Sequence, residues 1–155
     1  MEISDILTRD RVLCNVDLSS KKAALETLAS LIAGAGNGVT GQEVFNSLLS
    51  RERLGGTGLG NGIALPHGRL KNSFSTTAAF IKLKQGVDYD ASDRRPVDLV
   101  FALLVPENST EEHLQILAQL AEMFDKPEFL ARLRRQKSSE TIYELLTGNI
   151  RLKEY

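Results

Sequence analysis

Stretches with apolar residues at helical spacing alternate along the chain with short, nearly continuous apolar runs. In SSKKAALETLASLIAGAG (residues 19–36), leucines and an isoleucine recur every three or four positions, which predicts an amphipathic helix. Serine at its start and glycine at its end are residues that favour helix caps. A second helix is predicted to open at Thr40, where Glu43 completes a capping box, and to end near Arg51.

The apolar runs predict strands. RVLCNV (11–16) fits a short strand that would bury the single cysteine, and STTAAFIKLKQ (75–85) alternates polar and apolar residues near its end. VDLVFALLVP (97–106) is apolar almost throughout, as in a central strand covered on both faces. Residues 86–96, between the last two runs, predict turns.

The remainder of the chain predicts three more helices. The first begins near Ser109, with Glu112 as its capping-box partner, and stops before Pro127. Pro127 suits the first turn of the next helix, and the last helix closes at Gly148. Helices that alternate with a few apolar strands indicate an α/β sandwich.

Composition narrows the function classes. The 155 residues predict one domain over 1–155, and the net charge of −1 gives no electrostatic reason to expect a nucleic-acid partner. No apolar run approaches the ~20 residues of a membrane span, so no membrane insertion is expected. The N-terminus lacks the basic and apolar regions of a signal peptide, and a lone cysteine excludes an internal disulfide. We therefore expect a cytoplasmic protein.

The most unusual segment is GGTGLGNGIALPHGR (55–69), with five glycines between residues 55 and 62. Glycine-rich loops commonly hold nucleotide phosphates, but this one lacks the Gly-Lys-Ser/Thr of a Walker loop and offers no G-x-G-x-x-G frame. It also leads into a strand-like run rather than a helix. Nucleotide binding is set aside, and on composition alone a surface loop beside a histidine is the simpler interpretation.

Three features favour a functional histidine over that simpler interpretation. Pro66 and Gly68 flank His67, so the backbone determines the position of its ring on both sides. The glycines allow a second backbone or a partner's surface to approach closely. Arg51, at the end of the preceding helix, could fold back over the loop as a guanidinium clamp.

The second histidine, His113, falls in the first turn of the third predicted helix. A helix N-terminus disfavours the imidazolium form, so a neutral ring is expected there. The residues leave open whether it is a core-edge histidine or part of the same site. Two histidines 46 residues apart without further ligands give little support for a metal site. The sequence contains no G-x-S-x-G elbow, so a serine hydrolase is not expected.

A longer pattern now becomes informative. The run LLSRERLGGTGLGNGIALPHGRL, with PVDLVFALLVP and EEHLQILAQLAEMF after it, resembles the enzyme IIA domains of the bacterial phosphotransferase system, fructose–mannitol class. The likeness extends from the first predicted helix to the last. Asn61, the single-domain length and the lack of a fused transporter segment favour the nitrogen-regulatory type. The resemblance implies a mixed β-sheet flanked by helices, in a single-domain three-layer sandwich.

The resemblance also implies roles for the residues already singled out. His67 would accept a phosphoryl group from a small histidine phosphocarrier protein, itself charged from phosphoenolpyruvate by an enzyme I. Arg51 would neutralise phosphoryl charge, and His113 would support the same site. Further phosphoryl contacts are expected from Thr57, Asn61 and Gly68. Neither a metal nor an organic cofactor is expected, and the residues do not identify which imidazole nitrogen takes the group.

Two destinations for the phosphoryl group remain open. In the first, phosphorylation of His67 decides which partners bind, and the protein regulates nitrogen- or potassium-linked processes through targets such as potassium-transport or sensor-kinase systems. In the second, the chain is a sugar-specific enzyme IIA subunit that passes the group to a separate fructose- or mannitol-type transporter chain. Both make the protein a phosphotransferase with a phosphohistidine intermediate.

Overall fold

A computed structural model describes residues 2–148, which form one six-stranded sheet with helices on both faces. The strands are β1 (Val12–Val16), β2 (Gly58–Gly60), β3 (Ile63–Ala64), β4 (His67–Leu70), β5 (Thr77–Val87) and β6 (Val97–Pro106). The helices are α1 (Lys21–Ala33), α2 (Gly41–Arg53), α3 (Thr110–Phe124), α4 (Pro127–Arg135) and α5 (Ser139–Leu146). Two short 3₁₀ helices, Ile3–Asp5 and Arg9–Arg11, precede β1.

The sheet is mixed. Its strand order is β1-β5-β6-β3-β2, and β4 also pairs with β6. The pairs β1–β5, β3–β6 and β4–β6 are parallel, whereas β5–β6 and β2–β3 are antiparallel. The predicted mixed sheet is confirmed.

Alternate residues of β6 face opposite helical layers, because successive side chains of a strand point to opposite sides. One set packs with α3, α4 and α5 and consists of Leu99, Phe101, Leu103 and Val105. The other packs with α1 and α2 and includes Val100, Ala102 and Leu104. Both faces of the strand are therefore buried, as its continuous apolar sequence predicted, and the three-layer sandwich is confirmed.

The strand beside β6 is interrupted at Leu65 and Pro66. β3 pairs with the first half of β6 and β4 with the second half, where His67 lies opposite Leu103. Across the interruption the carbonyl of Pro66 still accepts a hydrogen bond from the backbone N–H of Leu103, at 3.0 Å. His67 is thus the first residue of a strand that the central strand holds in place. The sequence predicted strand character only up to Pro66 and missed β4.

Helix caps follow the sequence prediction at two helices and depart from it at a third. The hydroxyl of Ser20 caps α1, and Thr40 and Glu43 form the predicted capping box of α2. The capping box predicted at Ser109 is wrong: its hydroxyl makes no cap hydrogen bond. Ser109 has ψ 49°, outside the extended conformation from which a serine side chain reaches the first turn.

Gly68 allows β4 and α2 to approach each other closely. A Cβ built on Gly68 would overlap the hydroxyl oxygen of Ser47 in α2 and would lie 3.2 Å from the Ser47 carbonyl carbon. The same hydroxyl donates a hydrogen bond to the carbonyl of Arg69, at 3.1 Å. The glycine after His67 therefore has a packing function, because any side chain there would push α2 away from β4.

We expect Gly68→Ala to lower the free energy of unfolding by about 1–3 kcal/mol, the usual cost of overpacking. Gly41→Ala is the matched control, because a Cβ at Gly41 meets no atom closer than 3.9 Å. Urea unfolding monitored by circular dichroism measures both. Ser47→Ala should restore part of the loss in the Gly68→Ala background. Equal stability of the two glycine variants would contradict this packing argument.

Candidate functional site

A cavity of about 380 Å³ lies where β4 meets the C-terminal end of α2 and the N-terminal end of α3. The two helices belong to opposite layers of the sandwich, and both contribute residues to the cavity beside β4. The residues that line the cavity are Ser47, Ser50, Arg51, Leu54, His67, Gly68, Arg69, His113, Leu114 and Leu117. The fold thus brings together four residues singled out in the sequence: Arg51, His67, Gly68 and His113.

The ring of His67 is held by a hydrogen bond to its own backbone segment. Its Nδ1 lies 2.8 Å from the carbonyl oxygen of Leu65. A carbonyl oxygen only accepts, so Nδ1 carries the proton and Nε2 keeps an unshared electron pair. This contact therefore identifies the tautomer of the neutral ring, which the sequence left open.

The surroundings of His67 keep its ring neutral. Burial lowers the pKa of His67 below its ordinary value of 6.5, and the hydrogen bond to Leu65 opposes that effect. The positive charge of Arg51 lowers the pKa further, and the negative charge of Glu52 raises it. At neutral pH the histidine is therefore unprotonated at Nε2.

His113 lies edge-on against His67, with the ring planes perpendicular and the ring centroids 5.4 Å apart. It is buried, with 3% of its surface exposed. The guanidinium Nε of Arg69 donates to its Nδ1 at 3.2 Å, so the proton of the neutral ring sits on Nε2. Burial lowers the pKa of His113 to about 4, helped by the positive charge that His67 gains on protonation and by the charge of Arg69. The ring is therefore a hydrogen-bond donor through Nε2.

Arg69 is a site residue that the sequence analysis missed. It lines the cavity and orients His113 through the contact just described. A usable signal was present, since residues two apart on a strand share one side, and Arg69 follows His67 by two. That signal required β4 to be recognised as a strand.

Arg51 lies in the last turn of α2 and extends over the glycine-rich segment. One of its terminal nitrogens donates to the carbonyl of Gly55 at 2.7 Å, which holds the guanidinium beside the cavity. Arg51 and Arg69 make the cavity wall positive, and no carboxylate from the described residues 2–148 lines it. Such a wall suits a ligand or transferred group with several negative oxygens.

Thr57 and Asn61, which the sequence analysis expected to contact the same group as His67, do not line this cavity. Thr57 is buried, and its hydroxyl donates to the carboxylate of Glu52. Asn61 is held by its backbone: its N–H donates to Asp93 at 2.9 Å, and its carbonyl accepts from Arg134 at 2.6 Å.

Two kinds of feature are absent from residues 2–148. Within residues 2–148, no cluster of three or more His, Cys, Asp or Glu side chains is arranged to hold a metal ion. Over the same residues, no helix has the length and apolar character needed to cross a membrane.

Comparisons with known proteins agree with the resemblance seen in the sequence. Residues 5–149 match the family described as "Phosphoenolpyruvate-dependent sugar phosphotransferase system, EIIA 2". A nitrogen regulatory protein of Pseudomonas aeruginosa is 45% identical over 146 residues, covering 94% of this chain and 95% of that protein. The crystal structure of nitrogen regulatory protein IIA-Ntr from Neisseria meningitidis superposes with a TM-score of 0.89 at 39% identity, covering 94% and 99% of the two chains.

A more distant structure shares the fold and was determined with a partner. It is the mannitol enzyme IIA of Escherichia coli in complex with phosphorylated enzyme IIB. The TM-score is 0.78 at 25% identity, over 92% of this chain and 97% of that one.

The lowered pKa of His113 predicts a pH dependence of stability. Between pH 6.5 and about 4, the unfolded chain binds a proton at this histidine that the folded chain does not. Acidification from pH 7 to 4.5 should therefore cost about 2–3 kcal/mol of unfolding free energy through this residue. His113→Asn keeps an acceptor near the Nδ1 position and does not titrate, so its loss should be smaller by that amount. Urea unfolding at both pH values measures the difference, and equal losses in the two proteins would contradict the assignment.

Proposed function

The chain belongs to the EIIA 2 family of the phosphoenolpyruvate-dependent sugar phosphotransferase system, and we propose that Nε2 of His67 accepts and carries the phosphoryl group. One observation carries the choice of atom. The Nδ1–H of His67 donates to the carbonyl of Leu65, which leaves the electron pair on Nε2 available to attack phosphorus. The position of His67 in a positive, partly apolar cavity supports the choice of residue.

The transfer needs no proton to move at His67. The Nε2 electron pair attacks phosphorus, the N–P bond of the donor phosphohistidine breaks, and the donor nitrogen keeps that electron pair. The imidazole of His67 gains positive charge as the new N–P bond forms. The Leu65 carbonyl already accepts from Nδ1–H, and this hydrogen bond strengthens as the ring becomes more positive.

The cavity wall supplies charge and donors for the phosphoryl oxygens. We assign Arg51 and Arg69 to neutralise the oxygens in the transition state, where phosphoryl transfer depends mainly on positioning and electrostatics. His113 would donate its Nε2–H to one oxygen, because Arg69 occupies its Nδ1. Gly68, which also lines the cavity, remains a proposed backbone contact.

An apolar rim around His67 suits a protein donor. Leu54 and Leu114 both line the cavity, and they are 84% and 60% exposed. Exposed large apolar side chains beside a reactive group are typical of a docking surface. We propose that a small histidine phosphocarrier protein docks on this rim in the cytoplasm and delivers the group to His67.

The destination we propose is regulatory. The similarity to nitrogen regulatory proteins extends over almost the whole chain at 45% identity, whereas identity to the mannitol enzyme IIA is 25%. Phosphorylation would add negative charge to the apolar rim and decide which targets dock, among them potassium-transport or sensor-kinase systems. The second candidate is transfer to a separate sugar-transporter chain. It is favoured by the structure of that mannitol relative bound to a phosphorylated enzyme IIB.

The experiment is incubation of the purified protein with phosphoenolpyruvate, enzyme I and the small phosphocarrier, followed by intact-mass measurement. We expect one acid-labile phosphoryl group on the wild type and none on His67→Ala. Arg51→Gln should still be phosphorylated, but on the order of ten- to a thousandfold more slowly, because it loses a cation that stabilises the transition state.

Leu54→Ser is a further variant in the same assay and tests the rim. It should slow charging at low donor concentration and still reach one phosphoryl group per chain. Phe74→Ser is its control, because Phe74 is 79% exposed but does not line the cavity.

Phosphorylation of His67→Ala to the wild-type extent would refute the proposed acceptor. Transfer from the charged protein to a sugar-transporter enzyme IIB, at a rate that matches sugar uptake, would favour the second candidate.

A further inference from the structure

A carboxylate is buried beneath the glycine-rich segment, next in sequence to Arg51. Glu52 is only 8% exposed and accepts several hydrogen bonds. The backbone N–H of Thr57 donates to one of its oxygens at 3.2 Å, and the Thr57 hydroxyl donates to the other. The Tyr89 hydroxyl also donates to that second oxygen, at 3.3 Å. The carboxylate thus ties the end of α2 to the loop that precedes β2.

A cation compensates the buried charge of Glu52. The ammonium of Lys21 lies 2.9 Å from a Glu52 carboxylate oxygen and 4.3 Å from the centre of the Tyr89 ring. Burial, followed by the charge of Glu52, raises the pKa of Tyr89 above its ordinary value, so its hydroxyl remains a donor at neutral pH. Because the buried carboxylate has both an ion-pair partner and several hydrogen-bond donors, it is held in one position.

From Glu52 a chain of hydrogen bonds reaches the ring of His67. Thr57, held by Glu52 through its N–H and hydroxyl, accepts at its carbonyl from the N–H of Leu65, at 3.0 Å. The carbonyl of Leu65 in turn accepts from Nδ1 of His67, at 2.8 Å. Each link fixes the backbone group that makes the next one.

We propose that Glu52 is a positioning residue for the phosphoryl acceptor, acting through Thr57 and Leu65 to hold His67 in the tautomer with the proton on Nδ1. Thr57, which does not line the cavity, is the middle member of this chain. The consequence for transfer rests on the function proposed above, whereas the consequence for the tautomer concerns the unphosphorylated protein alone.

The negative charge of Glu52 also affects the ring of His67. It raises the pKa of His67 against the lowering effects of burial and of Arg51. A more basic ring is a better nucleophile as long as it stays neutral at working pH. Removing the charge without changing the shape of the side chain should therefore alter both the tautomer and the pKa of His67.

The experiment compares Glu52→Gln, Thr57→Val and the control Thr77→Val by ¹⁵N NMR of the histidine rings. Thr77 is a buried threonine whose hydroxyl accepts from Asn37, outside the chain of contacts and outside the cavity. The wild type and the control should show one neutral tautomer of His67, with Nδ1 protonated. The two chain variants should show mixed tautomers, and Glu52→Gln should also lower the pH midpoint of the His67 titration.

Charging from the phosphocarrier is measured on the same proteins. We expect a loss on the order of ten- to a hundredfold in Glu52→Gln, because misplacement of a reacting group by about 1 Å has that effect. Thr77→Val should charge at the wild-type rate. If Glu52→Gln does not fold, Thr57→Val alone decides the tautomer question, since it keeps the backbone contact and removes only the hydroxyl.

Two results separate this inference from the proposed function. An unchanged His67 tautomer and titration in folded Glu52→Gln and Thr57→Val would overturn the positioning role, even if the wild type is charged normally. A wild type that takes no phosphoryl group, yet shows the expected tautomer changes in the variants, would overturn the proposed function and leave the positioning chain intact.

Discussion

The hydrogen bond between Nδ1 of His67 and the carbonyl of Leu65 fixes the tautomer on which the proposed function depends. It exists because the strand beside β6 stops at Ala64 and resumes at His67, with Pro66 between them still accepting from Leu103. The interruption turns the Leu65 carbonyl toward the ring instead of toward a neighbouring strand. One proton position follows, and it leaves the Nε2 electron pair of the neutral ring unshared.

The positive and negative charges around the site lie in different places. Two arginines line a cavity that also contains two imidazoles, and burial together with the nearby positive charge keeps both rings neutral. The rings are complementary: His67 keeps its electron pair on Nε2, whereas His113 carries a proton there. The negative charge of Glu52 lies beneath the glycine-rich loop and not in the cavity. A carboxylate in the cavity would repel phosphoryl oxygens.

Much of the architecture could be predicted from local patterns. The continuous apolar run of β6 and the caps of α1 and α2 are set by short-range sequence preferences, and the structure agrees with them. β4 could not be predicted, because its four residues carry no alternation and pair only through contact with β6. The hydroxyl of Thr57 likewise donates to Glu52, whose carboxylate also accepts from Tyr89, 37 residues away in sequence. Such long-range contacts leave no mark in a local pattern.

Two further residues show where sequence reasoning about the site reached its limit. His113 was recognised as a histidine at a helix start, but its partner Arg69 became visible only once the strand was known. Gly68 was expected near the transferred group, and the structure adds that it is required for the close packing of β4 on α2. One residue can therefore line the cavity and carry the local packing.

The most direct test of the central claim is to locate the phosphoryl group on the ring of His67. Heteronuclear NMR of the ¹⁵N-labelled phosphoprotein, read through the coupling between ³¹P and the imidazole nitrogens, distinguishes the two positions. The account predicts phosphorus bonded to Nε2, with Nδ1 still protonated and hydrogen-bonded. Phosphorus on Nδ1, or on His113, would contradict it, because the Leu65 contact would then have to break before transfer.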